Sequence, residues 1–314
     1  MQKLLNRIIC GDCIEVLGKA GGPFADLIFA DPPFNIGYKY DKYDDKVKSK
    51  NYIAWTKDWM SACKRVLKPD GSFYIAIGDD YAANVKTIAD EIGLFMRNWI
   101  IWHYTFGQQT KNKFARAHTH IFYFVNDENN FTFNDHAVRV PSDRQLIYND
   151  RRANPKGKMP DDVWNTDVRV CGTFKERAGW HPCQMPESLL KRIIAASSKA
   201  GGCVLDPFSG SGTTAAAAYQ LGRSYVGVEI SEKYVENANE RLAQLSKQRQ
   251  GSLFLDAIEM DELKRLSREV RRTPKEITSD ANLLKLLANQ FAVRMNNDKR
   301  YSTHEIAAAL EDME

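Results

Sequence analysis

The 314-residue chain has no run of about 18 consecutive apolar residues, so nothing in it predicts a membrane-spanning helix. Its first residues, MQKLLNR, lack the apolar core of a secretory signal, and we therefore expect a cytoplasmic protein without a membrane partner. The sequence also contains no internal repeat and no long low-complexity tract, which argues against solenoid and fibrous architectures.

Cysteine is scarce and scattered, with six residues at positions 10, 13, 63, 171, 183 and 203. Only Cys10 and Cys13 have CxxC spacing, and no second pair or histidine pair stands at the spacing of a zinc site. We therefore predict reduced structural thiols and no metal, with a thioredoxin-like redox role for the CxxC pair as a less favoured alternative. His118 and His120 share one face of a predicted strand, where packing or hydrogen bonding is the default expectation.

Hydrophobic residues make up 43% of the chain and charged residues 27%, which is typical of one large globular domain, alone or with an appendage. The formal net charge is +4. This charge permits a polyanionic partner such as nucleic acid without requiring one.

Short apolar runs alternate with helical patterns along most of the chain, which predicts an α/β sheet wrapped by helices. The runs typical of buried parallel strands are 7–10, 26–30, 72–77, 98–104, 120–125, 203–205 and 224–228. The helical patterns are 52–66, 80–92, 186–196 and 232–245. The sequence LKPDGSF at 67–73 predicts a helix end and a turn that leads into a strand.

Two parts of the chain depart from this alternation. Residues 126–175 mix basic residues, prolines and aromatics, which fits either a solvated insertion or a loop region that faces nucleic acid. Taken alone, this stretch favours the solvated insertion, because charge runs are usually solvated faces. From about residue 250 the pattern becomes helical with a basic start, LKRLSREVRRTPKE. It predicts a small helical appendage whose role the sequence does not specify.

The sequence VLDPFSGSGTTAAAAYQLG at 204–222 predicts a strand, a tight turn and a helix that begins near Thr213. Gly210 and Gly212 let the backbone approach a ligand, and the helix N-terminus offers free N–H groups to an anion. The next predicted strand ends in Glu229, where an acid can bind a ribose diol. Together these features predict a nucleoside cofactor, and a merely glycine-rich turn is the less favoured alternative.

The segment FADPPF at 29–34 ends a predicted strand with an acid, two prolines and an aromatic ring. The prolines stop the strand and hold Asp31 and Phe34 on a stiff turn. A carboxylate beside the Pro32 carbonyl can accept both hydrogens of an exocyclic amine, while an aromatic ring stacks on the base that carries the amine. A ribose-binding loop suits NAD and S-adenosylmethionine equally. The FADPPF segment favours S-adenosylmethionine, because the reaction of an NAD-dependent oxidoreductase would leave this segment without a function.

The segments DPPF and DPFSGSGTT together resemble the amino-methyltransferases of DNA, which methylate adenine N6 or cytosine N4. The order of the two segments is similar to that of the permuted group called β, in which target recognition lies between them. The resemblance covers roughly residues 5–245. It implies a Rossmann-like S-adenosylmethionine-dependent methyltransferase fold of the α/β class, with circularly permuted motif order and a small C-terminal helical extension.

The resemblance also divides the chain and assigns roles to residues. It implies a catalytic half at 1–125, a target-recognition insertion at 126–175, a cofactor-binding half at 176–248 and a helical appendage at 249–314. The implied catalytic residues are Asp31, Pro32, Pro33 and Phe34. The residues implied around S-adenosylmethionine are Asp12, Cys13, His181, Pro182, Asp206, Phe208, Gly210, Gly212, Thr213, Thr214 and Glu229.

Within this set the resemblance implies that Asp12 contacts the cofactor adenine and Glu229 its ribose, with His181 and the glycine loop near the methionine end. The family often has Lys at the position of Met185, so no charge contact is expected there.

The first residue of the catalytic segment bears on the substrate. Asp is usual there in adenine-N6 enzymes of the family and Ser in cytosine-N4 enzymes, so Asp31 favours adenine N6 in double-stranded DNA. Cytosine N4 is the alternative, an NAD-dependent oxidoreductase a more distant one, and a DNA-binding regulator without catalysis a third class. The resemblance leaves open a homodimer and a cognate restriction endonuclease as partners, and it does not reveal the recognition sequence.

The stretch WHYTFGQQTKNKFARAHTH at 102–120 places Lys111, Lys113 and Arg116 in a predicted loop near the carboxyl edge of the sheet. We expect DNA-phosphate contacts there, or a flap over the flipped base. Tyr38 and Tyr40 are candidates for the base pocket, with packing under a loop as the equal alternative.

Overall fold

The computed structural model describes residues 4–108, 110–148, 150–172, 174, 176–248, 255, 257–295 and 301–313. The chain forms two compact units. The first consists of Met1–Phe133 and Asp162–Gln244, and the second of Asn134–Asp161 and Leu245–Glu314. Each unit is therefore assembled from two separate parts of the chain.

The first unit is built on a sheet that has eight strands within the described residues. They are β1 (Arg7–Cys10), β2 (Ala25–Ala30), β3 (Leu67–Ile77), β4 (Phe95–Gln108), β5 (Arg116–Val125), β6 (Val163–Trp164), β7 (Cys203–Asp206) and β8 (Ser224–Glu229). Their order across the sheet is β1-β8-β7-β2-β3-β5-β4-β6. The first five strands in this order run parallel, so their carboxyl ends share one edge. β5 runs antiparallel to both of its neighbours.

The helices are α1 (Cys13–Gly18), α2 (Ser49–Val66), α3 (Asp79–Glu91), α4 (Asp143–Leu146), α5 (Glu187–Ser197), α6 (Thr213–Gln220), α7 (Glu232–Gln248), α8 (Ala257–Val270), α9 (Pro274–Ser279), α10 (Ala281–Met295) and α11 (Thr303–Glu311). Helix α4 and helices α8 to α11 belong to the second unit. Among the described helices, none is long and apolar enough to cross a membrane.

Burial of one face of each helix against the sheet stabilises the first unit. Helix α2 is amphipathic and buries Trp59, Met60 and Cys63 completely. Full burial of side chains of this size contributes about 1.5–3 kcal/mol each. Helix α6 buries four consecutive alanines, and their small side chains let its backbone lie close to its neighbours. The ends of the parallel strands are thereby fixed as a rigid platform.

The predicted fold class is confirmed, and the seven predicted strands are all present. Two details of the prediction were wrong. β5 is antiparallel where a parallel strand was expected, because an apolar run carries no information about strand direction. Residues 67–73 belong to β3, where a turn was expected. Ala25 pairs with Leu67 but Leu27 with Ser72, so the extra residues form a bulge around Gly71.

The second unit has its own hydrophobic core, formed by helices α8 to α11, and Leu146 of α4 packs against it. Polar contacts also join residues 134–161 to these helices. Gln290 of α10 donates to the Pro155 carbonyl at 3.3 Å, and the Arg294 guanidinium donates to the Arg139 carbonyl at 2.6 and 2.9 Å. The C-terminal helices therefore hold the backbone of residues 134–161.

Candidate active site

Four acids lie at the carboxyl ends of neighbouring parallel strands. Asp12 follows β1, Glu229 ends β8, Asp206 ends β7 and Asp31 follows β2. Because these strand ends share one edge, all four side chains line a single cleft. The empty space of this cleft, including the part open to solvent, is about 1020 Å³.

Most of the predicted site residues meet in this cleft. Its walls include Asp12, Cys13, Asp31, Pro33, His181, Asp206, Phe208, Gly210, Thr213, Thr214 and Glu229. Four other predicted residues, Pro32, Phe34, Pro182 and Gly212, are neighbours of this set in the chain and do not line the cleft.

The loop between β7 and α6 requires glycine at two positions. Gly210 has a φ of +45° and Gly212 a φ of +71°, in the left-handed region that side chains disfavour. A Cβ on Gly210 would lie 2.7 Å from Nε2 of His181, and a Cβ on Gly212 would lie 2.9 Å from the Cβ of Ala238. Burial lowers the pKa of His181 to about 4, so its ring is a neutral wall beside the loop.

Backbone and hydroxyl groups fix two of the carboxylates. The two Glu229 oxygens accept hydrogen bonds from the Gly210 and Ser231 N–H groups, both at 2.9 Å. Asp206 accepts from the Phe208 N–H at 2.9 Å and from the Thr214 hydroxyl at 2.5 Å. Each carboxylate oxygen can accept a second hydrogen bond, and this capacity is available to a ligand.

Asp12 caps helix α1. Its Oδ1 accepts from the N–H groups of Ile14 at 2.8 Å and Glu15 at 3.1 Å. Burial raises the pKa of the Cys13 thiol to about 12, which makes it unreactive. All six cysteines are free thiols. Within this segment, Asp12 therefore fixes the start of α1 through its carboxylate.

The segment at 31–34 is held from two sides. The Pro33 carbonyl accepts a hydrogen bond from the Tyr52 hydroxyl of α2 at 2.5 Å. The ring of Phe34 lies beside Gly78, where a Cβ would come within 3.2 Å of it. No donor among the described residues reaches the Pro32 carbonyl oxygen. An acceptor next to Asp31 in the chain is therefore available.

Loss of water and repulsion between acids raise the pKa values of Asp31, Asp206 and Glu229. Asp31 keeps partial access to the cleft, yet desolvation and the charge of Asp206 raise its pKa to about 8, against an opposing effect of Arg169. Burial raises the pKa of Asp206 to about 7 and also raises that of Glu229. No cation among the described residues is a main influence on the pKa of Asp206, which the charge of Glu229 also raises. The cleft therefore favours a cationic ligand.

The loop at 35–47 forms a further wall of the cleft. The buried Asp45 carboxylate accepts from the N–H groups of Asn35 at 2.6 Å, Ile36 at 3.2 Å and Tyr38 at 2.9 Å. The Ser231 hydroxyl donates to Asp41 at 2.6 Å and ties the loop to the end of β8. One buried acid, together with a β-bridge between Lys39 and Asp44, thus organises a segment that lies outside the helices and strands.

Of the two tyrosines considered from the sequence, Tyr40 lines the cleft, whereas Tyr38 does not and is 41% exposed. Sequence reasoning missed further wall residues, among them Asp41, Tyr43, Trp55, Cys183, Ser231 and Tyr234. Trp55 fits the amphipathic pattern of α2, so its position in the sequence predicts packing and not a site. The loop residues follow no helical or strand pattern, so no sequence signal marks them.

A polar cluster lies outside the cleft lining, at the start of α3. Ligand-type atoms of Asp79, His118 and His120 lie within 4.8 Å of one another. The Trp99 Nε1–H donates to Nδ1 of His120 at 2.9 Å, so a neutral His120 carries its proton on Nε2, which faces Asp79 at 3.5 Å. Arg116, expected in a loop, is instead the first residue of β5 and pairs with Asp79 at 2.9 Å.

Comparison with known proteins identifies the family. The N6_N4_Mtase family, described as DNA methylase, matches residues 25–240. Type II methyltransferase M.HpaI of Haemophilus parainfluenzae is 37% identical over 239 residues, which are 76% of this chain and 74% of that protein. DNA adenine methyltransferase YhdJ of Escherichia coli is 38% identical over 247 residues, which are 76% of this chain and 82% of that protein. The chain therefore belongs to the N6/N4 family of DNA methylases.

Solved structures agree on the fold. The PvuII DNA methyltransferase, titled cytosine-N4-specific, has a TM-score of 0.59 at 18% identity and covers 85% of this chain and 95% of its own. TTHA0409 of Thermus thermophilus, complexed with S-adenosyl-L-methionine, has a TM-score of 0.55 at 22% identity and covers 76% of this chain and 93% of its own. The predicted family and methyltransferase fold are confirmed.

The cleft fits S-adenosylmethionine, the cofactor of this methyltransferase family. The acid Asp206 suits the positively charged ammonium of the cofactor, and Glu229 has acceptor capacity left for hydroxyl groups. Glycine at position 210 leaves empty the space beside His181 that a Cβ would fill.

Proposed function

We propose that this chain transfers a methyl group from S-adenosylmethionine to the N6 amine of a flipped adenine in double-stranded DNA. One observation carries the proposal. A rigid turn presents the Asp31 carboxyl to the cleft that the glycine loop lines, and the adjacent Pro32 carbonyl is without a donor among the described residues. The name of the relative YhdJ, a DNA adenine methyltransferase, supports the choice of base.

The catalytic segment would make a poor nucleophile reactive. The lone pair of an exocyclic amine is delocalised into the heterocycle. Hydrogen bonds from its two N–H groups to Asp31 and to the Pro32 carbonyl favour a more tetrahedral nitrogen with a directed lone pair. S-adenosylmethionine, when bound, supplies an electrophilic methyl group. The Asp31 carboxylate would stabilise the positive charge that develops on the nitrogen while the bond between the methyl carbon and the cofactor sulfur breaks and leaves a neutral thioether. The methylated nitrogen would then release its proton to solvent.

The remaining roles are part of the same proposal. Phe34 stacks on the flipped base, Glu229 binds the ribose hydroxyls and Asp12 binds the adenine end of the cofactor. The hydrogen bonds that Glu229 and Asp12 accept from backbone N–H groups support these roles, because they fix each carboxylate before a ligand arrives.

Cytosine N4 is the second candidate target. The fold similarity to the PvuII enzyme, titled cytosine-N4-specific, keeps it in consideration. The two bases present the same type of amine, so the chemistry at Asp31 would be unchanged. Asp31, where cytosine-N4 enzymes of the family usually have Ser, favours adenine.

We propose that DNA recognition uses residues 134–161, which form part of the predicted insertion at 126–175. Arg144, Arg151, Arg152 and Lys156 are exposed, and Tyr148 among them is 73% exposed. Exposed cations with interleaved aromatics suit contacts to phosphates and bases.

The proposal also includes a cognate restriction endonuclease, a homodimer and a cytoplasmic location. Two relatives, M.HpaI and M.ScaI, are named type II methyltransferases, which supports a cognate restriction endonuclease. We keep a homodimer and a cytoplasmic location as parts of the proposal. Light scattering of the purified chain tests the first, and imaging of a tagged chain tests the second.

Sequencing the genomic DNA of a host that lacks its own adenine methylation, after expression of this chain, tests the proposed reaction. We expect N6-methyladenine within one sequence context, and none from Asp31→Ala, whose affinity for S-adenosylmethionine should be retained. N4-methylcytosine would favour the second candidate. Absence of any modified base despite cofactor binding would contradict the proposal and favour a regulator without catalysis.

A further inference from the structure

The hairpin that joins β4 to β5 carries a fully exposed aromatic side chain. Phe114 is 99% exposed, the highest value among the exposed large hydrophobic residues of the described chain. Its neighbours Lys111 and Lys113 are exposed cations. A solitary exposed apolar side chain needs no explanation, but an exposed ring between cations at the tip of a hairpin is an arrangement that suits nucleic acid.

The sheet topology places this hairpin at the catalytic edge. Asp31 follows β2, which is parallel to β3, and the carboxyl end of β3 at Ile77 pairs with His120 of β5. Residues 116–119 therefore extend past the end of β3, by about 14 Å at the rise of an antiparallel strand. Phe114 lies beyond them, on the side of the sheet from which the catalytic turn emerges.

The stem of the hairpin is anchored, so its tip is held away from the sheet. Arg116 pairs with Asp79 at 2.9 Å, and the Tyr104 hydroxyl donates to the His118 carbonyl at 3.1 Å. Asp79 directly follows Gly78, which lies beside the ring of Phe34. A short path of contacts thus joins the base of the hairpin to the catalytic segment.

We propose that Phe114 inserts into the DNA duplex at the target site and occupies the space that the flipped base leaves, while Lys111 and Lys113 contact the flanking phosphates. This inference rests on the proposed function, because it requires a base to leave the stack. A flipped base leaves two base pairs without a stacking partner, and an aromatic wedge replaces part of that stacking. The proposal gives Phe114 a role in positioning the substrate and none in the chemical step.

The experiment compares Phe114→Ala, Phe114→Trp and the control Phe95→Ala on duplexes that carry the recognition sequence found by genomic sequencing. Phe95 is also an exposed phenylalanine of the hairpin strands, at the opposite end of β4. The substrates are a matched duplex, the same duplex with a mismatch opposite the target adenine, and one with 2-aminopurine at the target position.

On the matched duplex we expect Phe114→Ala to lower the single-turnover methylation rate about tenfold or more. On the 2-aminopurine duplex we expect this variant to reduce the rise in fluorescence. The mismatch should restore its rate to within about twofold of the wild type, because a weakened pair needs less help to open. Phe114→Trp and Phe95→Ala should stay near the wild type on all substrates. Affinity for S-adenosylmethionine should be the same in every variant.

Three results would overturn the inference. The first is a Phe114→Ala rate equal to that of Phe95→Ala on the matched duplex, and the second is a defect that the mismatch does not restore. The third is a difference in oligomeric state between Phe114→Ala and the wild type, which would show that a second copy of the chain covers this ring. A wild type that methylates no DNA would instead remove the proposed function itself, and the inference with it.

Discussion

Asp31 is an acid in a place where water is scarce and where another acid, Asp206, lies close enough to raise its pKa. Folding alone therefore favours its protonated form, whereas the proposed reaction needs its carboxylate. The positive charge that develops on the base amine would reconcile the two, since a positive charge nearby favours the ionised acid. Single residues of this cleft are thus tuned for a ligand at the expense of the stability of the ligand-free protein.

The stability of the ligand-free protein should depend on Asp31. Its pKa of about 8 lies above the ordinary value of about 3.9, so the folded protein binds more protons than the unfolded chain between these pH values. Stability should therefore fall as pH rises through this window. We expect Asp31→Asn to raise the free energy of unfolding by at least about 1 kcal/mol at pH 8 and by little at pH 4.

Thermal unfolding across this pH range measures the effect. Asp58→Asn is the control, because Asp58 is an exposed acid on α2. A difference between Asp31→Asn and the wild type that is as large at pH 4 as at pH 8 would show that the substitution acts through packing and not through the proton.

At the scale of elements, the glycine loop depends on the distance between its backbone and helix α7. Gly212 combines a left-handed φ of +71° with a neighbour, Ala238, that a Cβ would approach to 2.9 Å. Gly222, at the other end of α6, has a φ of +69° with no atom within 4 Å of the corresponding position. An alanine at Gly222 would therefore report only the free-energy cost of the left-handed backbone. An alanine at Gly212 would report that cost together with the cost of the close contact.

Gly212→Ala should lower the free energy of unfolding by about 2 kcal/mol or more, whereas Gly222→Ala should lower it by about 1 kcal/mol, the cost of a left-handed residue. Urea unfolding of both variants gives the two values. Cofactor affinity, measured by calorimetry, should fall in Gly212→Ala and not in Gly222→Ala. Equal losses of stability would mean that α7 moves away freely and that the contact with Ala238 has no cost.

The elements also show what the sequence can and cannot predict. Apolar runs predicted the strands, and acids at strand ends predicted Asp31 and Glu229, because a strand end in an α/β sheet is where a ligand can bind. Asp12 and Asp206 were implied only by the resemblance to the family. The direction of β5 was not predictable, because a run of apolar residues does not indicate whether a strand is parallel or antiparallel to its neighbours. The loop at 35–47 was out of reach because one buried acid, Asp45, fixes it through bonds that follow no period.

At the scale of the whole molecule, two units divide the proposed work. The cleft lies within the first unit, and the exposed cations proposed to read DNA lie in the second. In the second unit Arg294 is buried, donates to the Arg139 carbonyl and pairs with Glu262 at 2.9 Å and with Glu269. Removal of one partner from such a network leaves charge buried without compensation.

Arg294→Ala should destabilise the second unit by about 3–5 kcal/mol and abolish sequence-specific DNA binding, while affinity for S-adenosylmethionine stays unchanged. Lys285→Ala, at an exposed position of the same helix, is the matched control and should leave both properties intact. Calorimetric unfolding, DNA binding and cofactor titration of the two variants provide the comparison. A parallel loss of cofactor affinity in Arg294→Ala would show that the units do not act separately.

The second unit joins residues 134–161 to a core made of the last helices of the chain. During synthesis, these middle residues leave the ribosome long before the helices that hold their backbone. A nascent chain can therefore complete its cofactor cleft while the proposed DNA-reading surface is still unsupported. If that proposal holds, a ribosome that stops early would release a protein that binds the methyl donor and does not select a DNA sequence.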